Sequence, residues 1–178
     1  MITRLLFIIG IICLALYGFF TVRAYFRQEA LETELNEEIT KPDVPSRAAA
    51  PPRHLEEGDL FGRLEVPRLD FSVMVMEGDQ DDTLRLGAGH IPGTQLAIAG
   101  HRDTFFRPLR NIKMSDTIRL TTPNGTDEYQ VVSTKIVGPK DTWVLDNKSP
   151  DTLTLITCYP FYYVGPAPKR FIIEAVKN

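Results

Sequence analysis

Seven short runs, punctuated by turn-forming residues, constrain this chain more than any other feature. "FGRLEV", "FSVMVM", "QLAIAG", "DTIRLTT", "DEYQVVSTKIVG", "TLTLIT" and "RFIIEAV" fall between residues 61 and 176, bounded by Gly, Pro, Asp or Asn. Runs of this length, rich in Val, Ile, Phe and Thr and tending to alternate, read as β-strands. Seven or eight strands in roughly 120 residues describe a mainly β unit, a small barrel or sandwich. Asn124 and Gly125 in "PNG" tolerate positive φ and are expected to turn two of the runs into a hairpin. "DQDDTLRLGAG" and "DTFFRPLRNI" break the strand texture and read as short helical insertions.

The chain ahead of this unit has a different character. From Leu5 to Val22 there is no charged residue, and those 18 residues as a helix would span about 27 Å, close to the thickness of a bilayer core. A cleaved signal peptide is the rival reading, but its apolar part is usually shorter and ends at a small-x-small site that "YGFFTVRAYF" does not supply. A retained transmembrane helix over residues 1–23 is therefore expected. Arg4 on one side and Arg23 and Arg27 on the other leave its orientation undecided by charge. Next come Leu31, Leu35 and Ile39 at four-residue intervals, a narrow apolar stripe on an acidic helix that is expected to continue the anchor as a stalk. "KPDVPSRAAAPPRH" then holds four prolines in fourteen residues and reads as a semi-rigid spacer. Stalk and linker together occupy residues 24–55, and the folded unit is expected over 56–178.

Charge excludes one class of function. A formal net charge of −3 with no basic cluster gives no footprint for nucleic acid. The two cysteines, Cys13 in the apolar run and Cys158 near the far end, do not suit an intramolecular disulfide. One cysteine and two usable histidines without paired spacing do not make a tetrahedral metal set, so neither a metal nor another cofactor is expected.

Chemistry concentrates near Cys158. In "TLTLITC" a two-residue period puts Leu153 and Leu155 on one face and Thr154, Ile156 and Cys158 on the other. In "KRFIIEAV" the same count groups Phe171, Ile173 and Ala175, and sets Arg170 with Ile172, Glu174 and Val176. If the two strands are neighbours, thiol and guanidinium share a groove. Each also has a plain reading, since free cysteines are often buried and strand arginines are usually solvated. His54 falls in the spacer. His90, in "LGAGHIPGT", suits a structural role at a glycine-proline bend, whereas His101, in "LAIAGHRDTFF", follows an apolar strand and a glycine and is the better acid/base candidate. A thiol with an ordinary pKa near 8.5 is only about 3% thiolate at pH 7, so it needs a base or cation beside it. A Cys, a His and an Arg on a small barrel suggest acyl transfer.

These residues lie in motifs that closely resemble the sortases, cysteine transpeptidases anchored on bacterial surfaces. The motifs are "TLITC", then "KR" opening a final strand, with "AGHRDTFFRPL", "GRLEVPRL" and "GAGHIPGT" upstream; the likeness spans about Leu60 to Val176. "TCYPFYYVGPAPKRF" is most similar to class D. The resemblance implies an eight-stranded β-barrel behind an uncleaved membrane helix, with the barrel on the extracytoplasmic face. It implies Cys158 as nucleophile, His101 as acid/base and Arg170 as the residue that positions substrate and stabilises the oxyanion. The implied donor is a secreted protein with a C-terminal LPXTG-like signal, and the implied acceptor an amine on a cell-wall precursor or a protein lysine. Membrane lipid is the remaining expected partner, and nucleic acid is not one.

The loop Tyr159 to Pro168 is expected to flank the peptide, with Thr157, Tyr159, Pro160 and Phe161 as substrate contacts and its prolines limiting flexibility. One departure concerns the segment between His90 and His101, where "IPGTQLAIAG" is shorter than in many sortases. Two other functions stay open at this point: a thiol endopeptidase that loses its acyl group to water, and a membrane-tethered β-barrel that binds without chemistry.

Overall fold

The computed structural model describes residues 2–40, 54–146 and 149–178. Most of the Pro/Ala-rich spacer, residues 41–53, lies outside them. Eight strands follow one long helix: α1 Ile2–Thr40, β1 Leu60–Val66, β2 Phe71–Glu77, α2 Asp81–Leu84, β3 Ala88–His90, β4 Ala97–Gly100, β5 Thr117–Thr122, β6 Gly125–Val137, β7 Thr152–Tyr159 and β8 Lys169–Lys177. The strands close into a barrel in the order β1-β2-β3-β4-β7-β8-β6-β5. The expected barrel is present, and each of the seven sequence runs overlaps one of its strands.

Differences from the sequence reading are local. The stretch read as a helical insertion splits, with only Asp81–Leu84 helical and Ala88–His90 forming β3. The second insertion is a 3-10 turn over Arg107–Asn111. In the β5–β6 hairpin Thr122 pairs with Gly125, so Pro123 and Asn124 form the loop, and positive φ falls on Gly125 alone.

Alternation divides the barrel into an inside and an outside. Leu64, Val75, Ile98, Ile118, Leu153, Leu155 and Ile173, all essentially inaccessible, fill the interior. A register shift between Leu60 and Gly62 reverses the faces of β1, so Leu60 points outward while Phe61 packs on the interior cluster.

Helix α1 runs past the expected anchor boundary without interruption. Its apolar 18-residue window has a mean hydropathy of 2.6 with none of it buried, so by length and composition it can cross a membrane. Its second half packs on the barrel. Leu31 and Leu35, both 0% exposed, meet Leu60, Met74 and Met76 on the outer face; burial of this extent contributes about 1.5–3 kcal/mol per leucine. Ile39, the third stripe residue, is 39% exposed. Gln28 accepts from the Met74 amide at 2.7 Å and donates to the Leu86 carbonyl at 2.7 Å. A Cβ at Gly87 would stand 2.5 Å from the Gln28 amide nitrogen and 2.6 Å from the Met74 carbonyl, so only glycine permits this approach. Residues 27–35 thus clasp the barrel rather than hold it away.

One buried charge steadies the segment that leads away from β4. Asp116 is 7% exposed; it accepts from the Arg68 guanidinium and, at 2.7 Å, from the Lys113 amide, while Arg68 also donates to the Asn111 carbonyl at 2.7 Å. The Arg68 hydrogen bond chiefly holds the Asp116 carboxyl below the usual carboxylate range. A carboxyl whose pKa is lower folded than unfolded stabilises the fold above its unfolded value, and that contribution is lost as pH falls through the folded one. Asp116→Asn is therefore expected to lower Tm by a few degrees at pH 7. Thermal melts of both proteins across pH should show the gap closing only in acid; a gap independent of pH would contradict this account.

Candidate active site

Two strand pairings assemble the site. β4 and β7 are parallel neighbours, with Gly100 opposite Thr157. His101 and Cys158 are the next residues along, so they leave adjacent strands at the same rim, with backbones about 5 Å apart. β7 and β8 are antiparallel, and Cys158 stands directly opposite Arg170. Cross-strand partners present their side chains on the same face. The three candidates, separated by up to 69 positions in sequence, converge on one edge of the barrel.

Local packing fixes the exit from β4. A Cβ on Gly100 would come within 2.6 Å of the Phe106 ring, which is fully buried, so glycine is required where the chain turns under that ring. The Phe106 amide donates to the His101 carbonyl at 3.0 Å. Thr157, expected as a substrate contact, is 3% exposed, and its hydroxyl donates to the Gly100 carbonyl at 2.7 Å. This inward side chain aligns β4 with β7 and leaves the groove to its neighbours. Cys158 and His101 are half-buried, and neither side chain hydrogen-bonds to another described residue. The Arg170 Nη1 donates to the Ala167 and Lys169 carbonyls at 3.3 and 3.1 Å. A guanidinium has five N–H donors, so Nε and Nη2 remain for an anion or carbonyl.

Below the Cys158–Arg170 pair on the outer face lies Ile156 opposite Ile172. Ile172 packs with Val137 and Val144, and Ile156 and Leu145 join them. This gives the groove an apolar floor, partly walled by the 3-10 turn Thr142–Leu145.

The β7–β8 loop rises on an aromatic base. Tyr159 and Phe161 both pack on Phe171, with ring centres 6.3 and 5.5 Å away, and Pro160 follows a cis bond. Beyond them Tyr162, Tyr163 and Val164 are 74%, 48% and 94% exposed. Arg102, which the sequence reading passed over, holds this loop. It is buried, and its Nη2 donates to the carbonyls of Tyr163 at 2.7 Å and Gly165 at 3.1 Å. Arg110 adds a second brace, its guanidinium 5.2 Å from the Tyr162 ring. An arginine directly after the acid/base candidate in "GHR" was the available signal. His90 is remote from this rim: its Nδ1 bonds the Glu77 carboxylate at 2.7 Å and its ring stacks on Phe61 at 4.4 Å.

An eight-stranded barrel that brings one thiol, one imidazole and one guanidinium to a single rim, behind an apolar helix, defines a narrow class of protein. The sortase-domain family model matches residues 64–178, and the chain belongs to the sortase family. Sortase D of Bacillus subtilis is 39% identical over 126 residues, covering 66% of this chain and 64% of that protein. Sortase A of Bacillus anthracis is 26% identical over 155 residues, covering 82% of this chain and 72% of that one. The matched stretch thus falls just short of two thirds of the length of the Bacillus subtilis relative. Among solved structures, a Clostridium perfringens sortase D5 transpeptidase superposes with a TM-score of 0.72 at 22% identity, over 85% of this chain and 98% of that one. Both the family and the likeness to class D agree with the motifs quoted above.

Proposed function

We propose that this chain is a membrane-anchored cysteine transpeptidase that cleaves an LPXTG-like sorting signal and passes the acyl group to an amine. The observation that carries the reading is the double register that sets Cys158 opposite Arg170 and His101 beside it on the neighbouring strand. In the first half, the Cys158 sulfur attacks the Thr–Gly carbonyl of the signal. The oxyanion that forms accepts hydrogen bonds from the Arg170 guanidinium. His101 then protonates the departing glycine nitrogen as the C–N bond breaks, leaving a thioester. In the second half an acceptor amine attacks that thioester, His101 takes its proton, and the Cys158 thiolate leaves. The apolar floor of Ile156, Ile172 and Val144 supports binding of the apolar side chains of such a signal. Tyr159, Pro160 and Phe161 bound the groove at the base of the loop.

In the same reading, the apolar half of α1 anchors the protein in the cell membrane and the barrel works on the extracytoplasmic side. Its donors are secreted proteins that carry the signal, and its acceptors are cell-wall precursors or protein lysines. The test is incubation of the chain with an LPXTG-like peptide and an amine. A product that retains the amine supports transpeptidation; release of the free acid alone makes the enzyme a thiol endopeptidase, and no turnover of any such peptide removes the reading.

Arg170→Lys offers a sharper test of one role. Lysine keeps the charge but loses the planar array of donors, so kcat/KM for the peptide is expected to fall about 100-fold. Alkylation of Cys158 by iodoacetamide, which develops no comparable oxyanion, should keep its rate.

A further inference from the structure

Two arginines at the rim are joined by a short piece of chain. Arg102 follows His101 directly at the exit of β4 and is 8% exposed. Its Nη2 donates to the carbonyls of Tyr163 and Gly165, and the Tyr163 ring centre lies 5.9 Å from the guanidinium carbon. Arg170, entering β8, gives its Nη1 to the carbonyl of Ala167. Pro166 alone separates the two held residues Gly165 and Ala167. A strap of three residues thus runs from one guanidinium to the other.

The strap is stiff. Proline fixes φ at position 166, and Gly165 takes a φ of 102°, a conformation that only glycine enters without strain. Among the described residues, no hydrogen bond but those of Arg102 reaches residues 161–167 from outside β7, β8 and the loop itself. Burying a cation is costly, and Arg102 makes no ion pair among the described residues. Both of its hydrogen bonds go to the loop. At the other end of the strap, Arg170 stands opposite Cys158, with Nη1 tied back to the Ala167 and Lys169 carbonyls. A guanidinium is planar and turns as one body, so a displaced Ala167 carbonyl would re-aim Nε and Nη2 as well.

From this linkage we infer that Arg102 is a positioning residue: through Gly165, Pro166 and Ala167 it holds the Arg170 guanidinium in the orientation that meets the oxyanion. This role rests on the one proposed above for Arg170, and Arg102 acts only through it.

The test uses Arg102→Met, which keeps an apolar stem in the buried position but has no donor, and Gly165→Ala. A Cβ at Gly165 meets nothing within 4 Å, so the second variant disturbs the strap by its backbone conformation alone and serves even if the first does not fold. The full chain, isotope-labelled at arginine, is observed by NMR in detergent micelles, and the Arg170 Nε–H signal is assigned as the one lost in Arg170→Lys. Both variants should shift that signal with an unchanged circular dichroism spectrum. With an LPXTG-like peptide and an amine, each should lower kcat about tenfold and leave KM within about twofold, as expected when an interaction made only in the transition state is impaired. In the Arg170→Lys background each should cost less than about twofold, because residues that act as a unit are not additive. Three results would overturn this role: an Arg170 signal that stays still in the folded variants, losses that add in full to that of Arg170→Lys, or a rise in KM alone, which would make Arg102 a brace for the groove wall. A wild-type chain that couples no peptide would remove the proposed function, whereas the Arg170 signal would still decide whether Arg102 sets its position.

Discussion

Cys158→Ala is expected to abolish coupling of a sorting-signal peptide to an amine, a loss of at least about 10⁴-fold. The reason lies in what remains at the rim. Under the proposed mechanism, His101 and Arg170 could still polarise a carbonyl and deliver a proton without the sulfur, but no group there would form the covalent acyl intermediate. The other cysteine, Cys13, lies exposed in the apolar half of α1, outside the barrel core. The substitution should leave the fold intact, because Cys158 sits half-buried at the end of β7 and outside the interior cluster. Mass spectrometry of the reduced chain with excess peptide and no amine should reveal a thioester adduct on the wild type and none on the variant. Normal coupling by a correctly folded Cys158→Ala chain would exclude the nucleophilic role.

What the sequence disclosed follows from the range of the interactions involved. The faces of "TLTLITC" were readable because one side of β7 meets the interior and the other does not: Leu153 and Leu155 are buried in the main cluster, while Ile156 and Cys158 face outward. Parity is a local property. Pairing is not, and nothing in the spacing of Gly100 and Thr157 announces the parallel contact that brings His101 to Cys158. β3 escaped notice because three residues are too few to show a period. The stripe of Leu31 and Leu35 was visible, but a stripe does not name its partner. Met74 and Met76 read as ordinary strand residues until the bulge in β1 turns Leu60 outward to meet them. Arg102 was marked only by its place directly after His101, and neither it nor Arg110 announces in sequence the loop carbonyls and ring, about 50 to 60 positions away, on which it acts. The catalytic candidates were legible through motif resemblance, and their convergence came only from the ladder.

The acid/base assignment makes the second large demand on the site. His101→Ala is expected to lower kcat/KM by about 10²–10⁴-fold, the usual range for loss of a positioned proton-transfer group. His101 is half-buried, and no other described side chain claims its ring, so the imidazole is free to serve the thiol and the leaving nitrogen in turn. In the proposed mechanism the same ring is required twice, once to protonate the departing amine and once to deprotonate the arriving one. Rapid-quench kinetics should therefore show both acylation and aminolysis slowed, whereas a residue that merely packed the groove would weaken peptide binding and leave aminolysis of a preformed thioester unchanged. Added imidazole should restore part of the rate to His101→Ala and none to Cys158→Ala. Retention of coupling within about tenfold of wild type, well inside the expected loss, would transfer the proton to another group and leave His101 as a spectator beside the thiol.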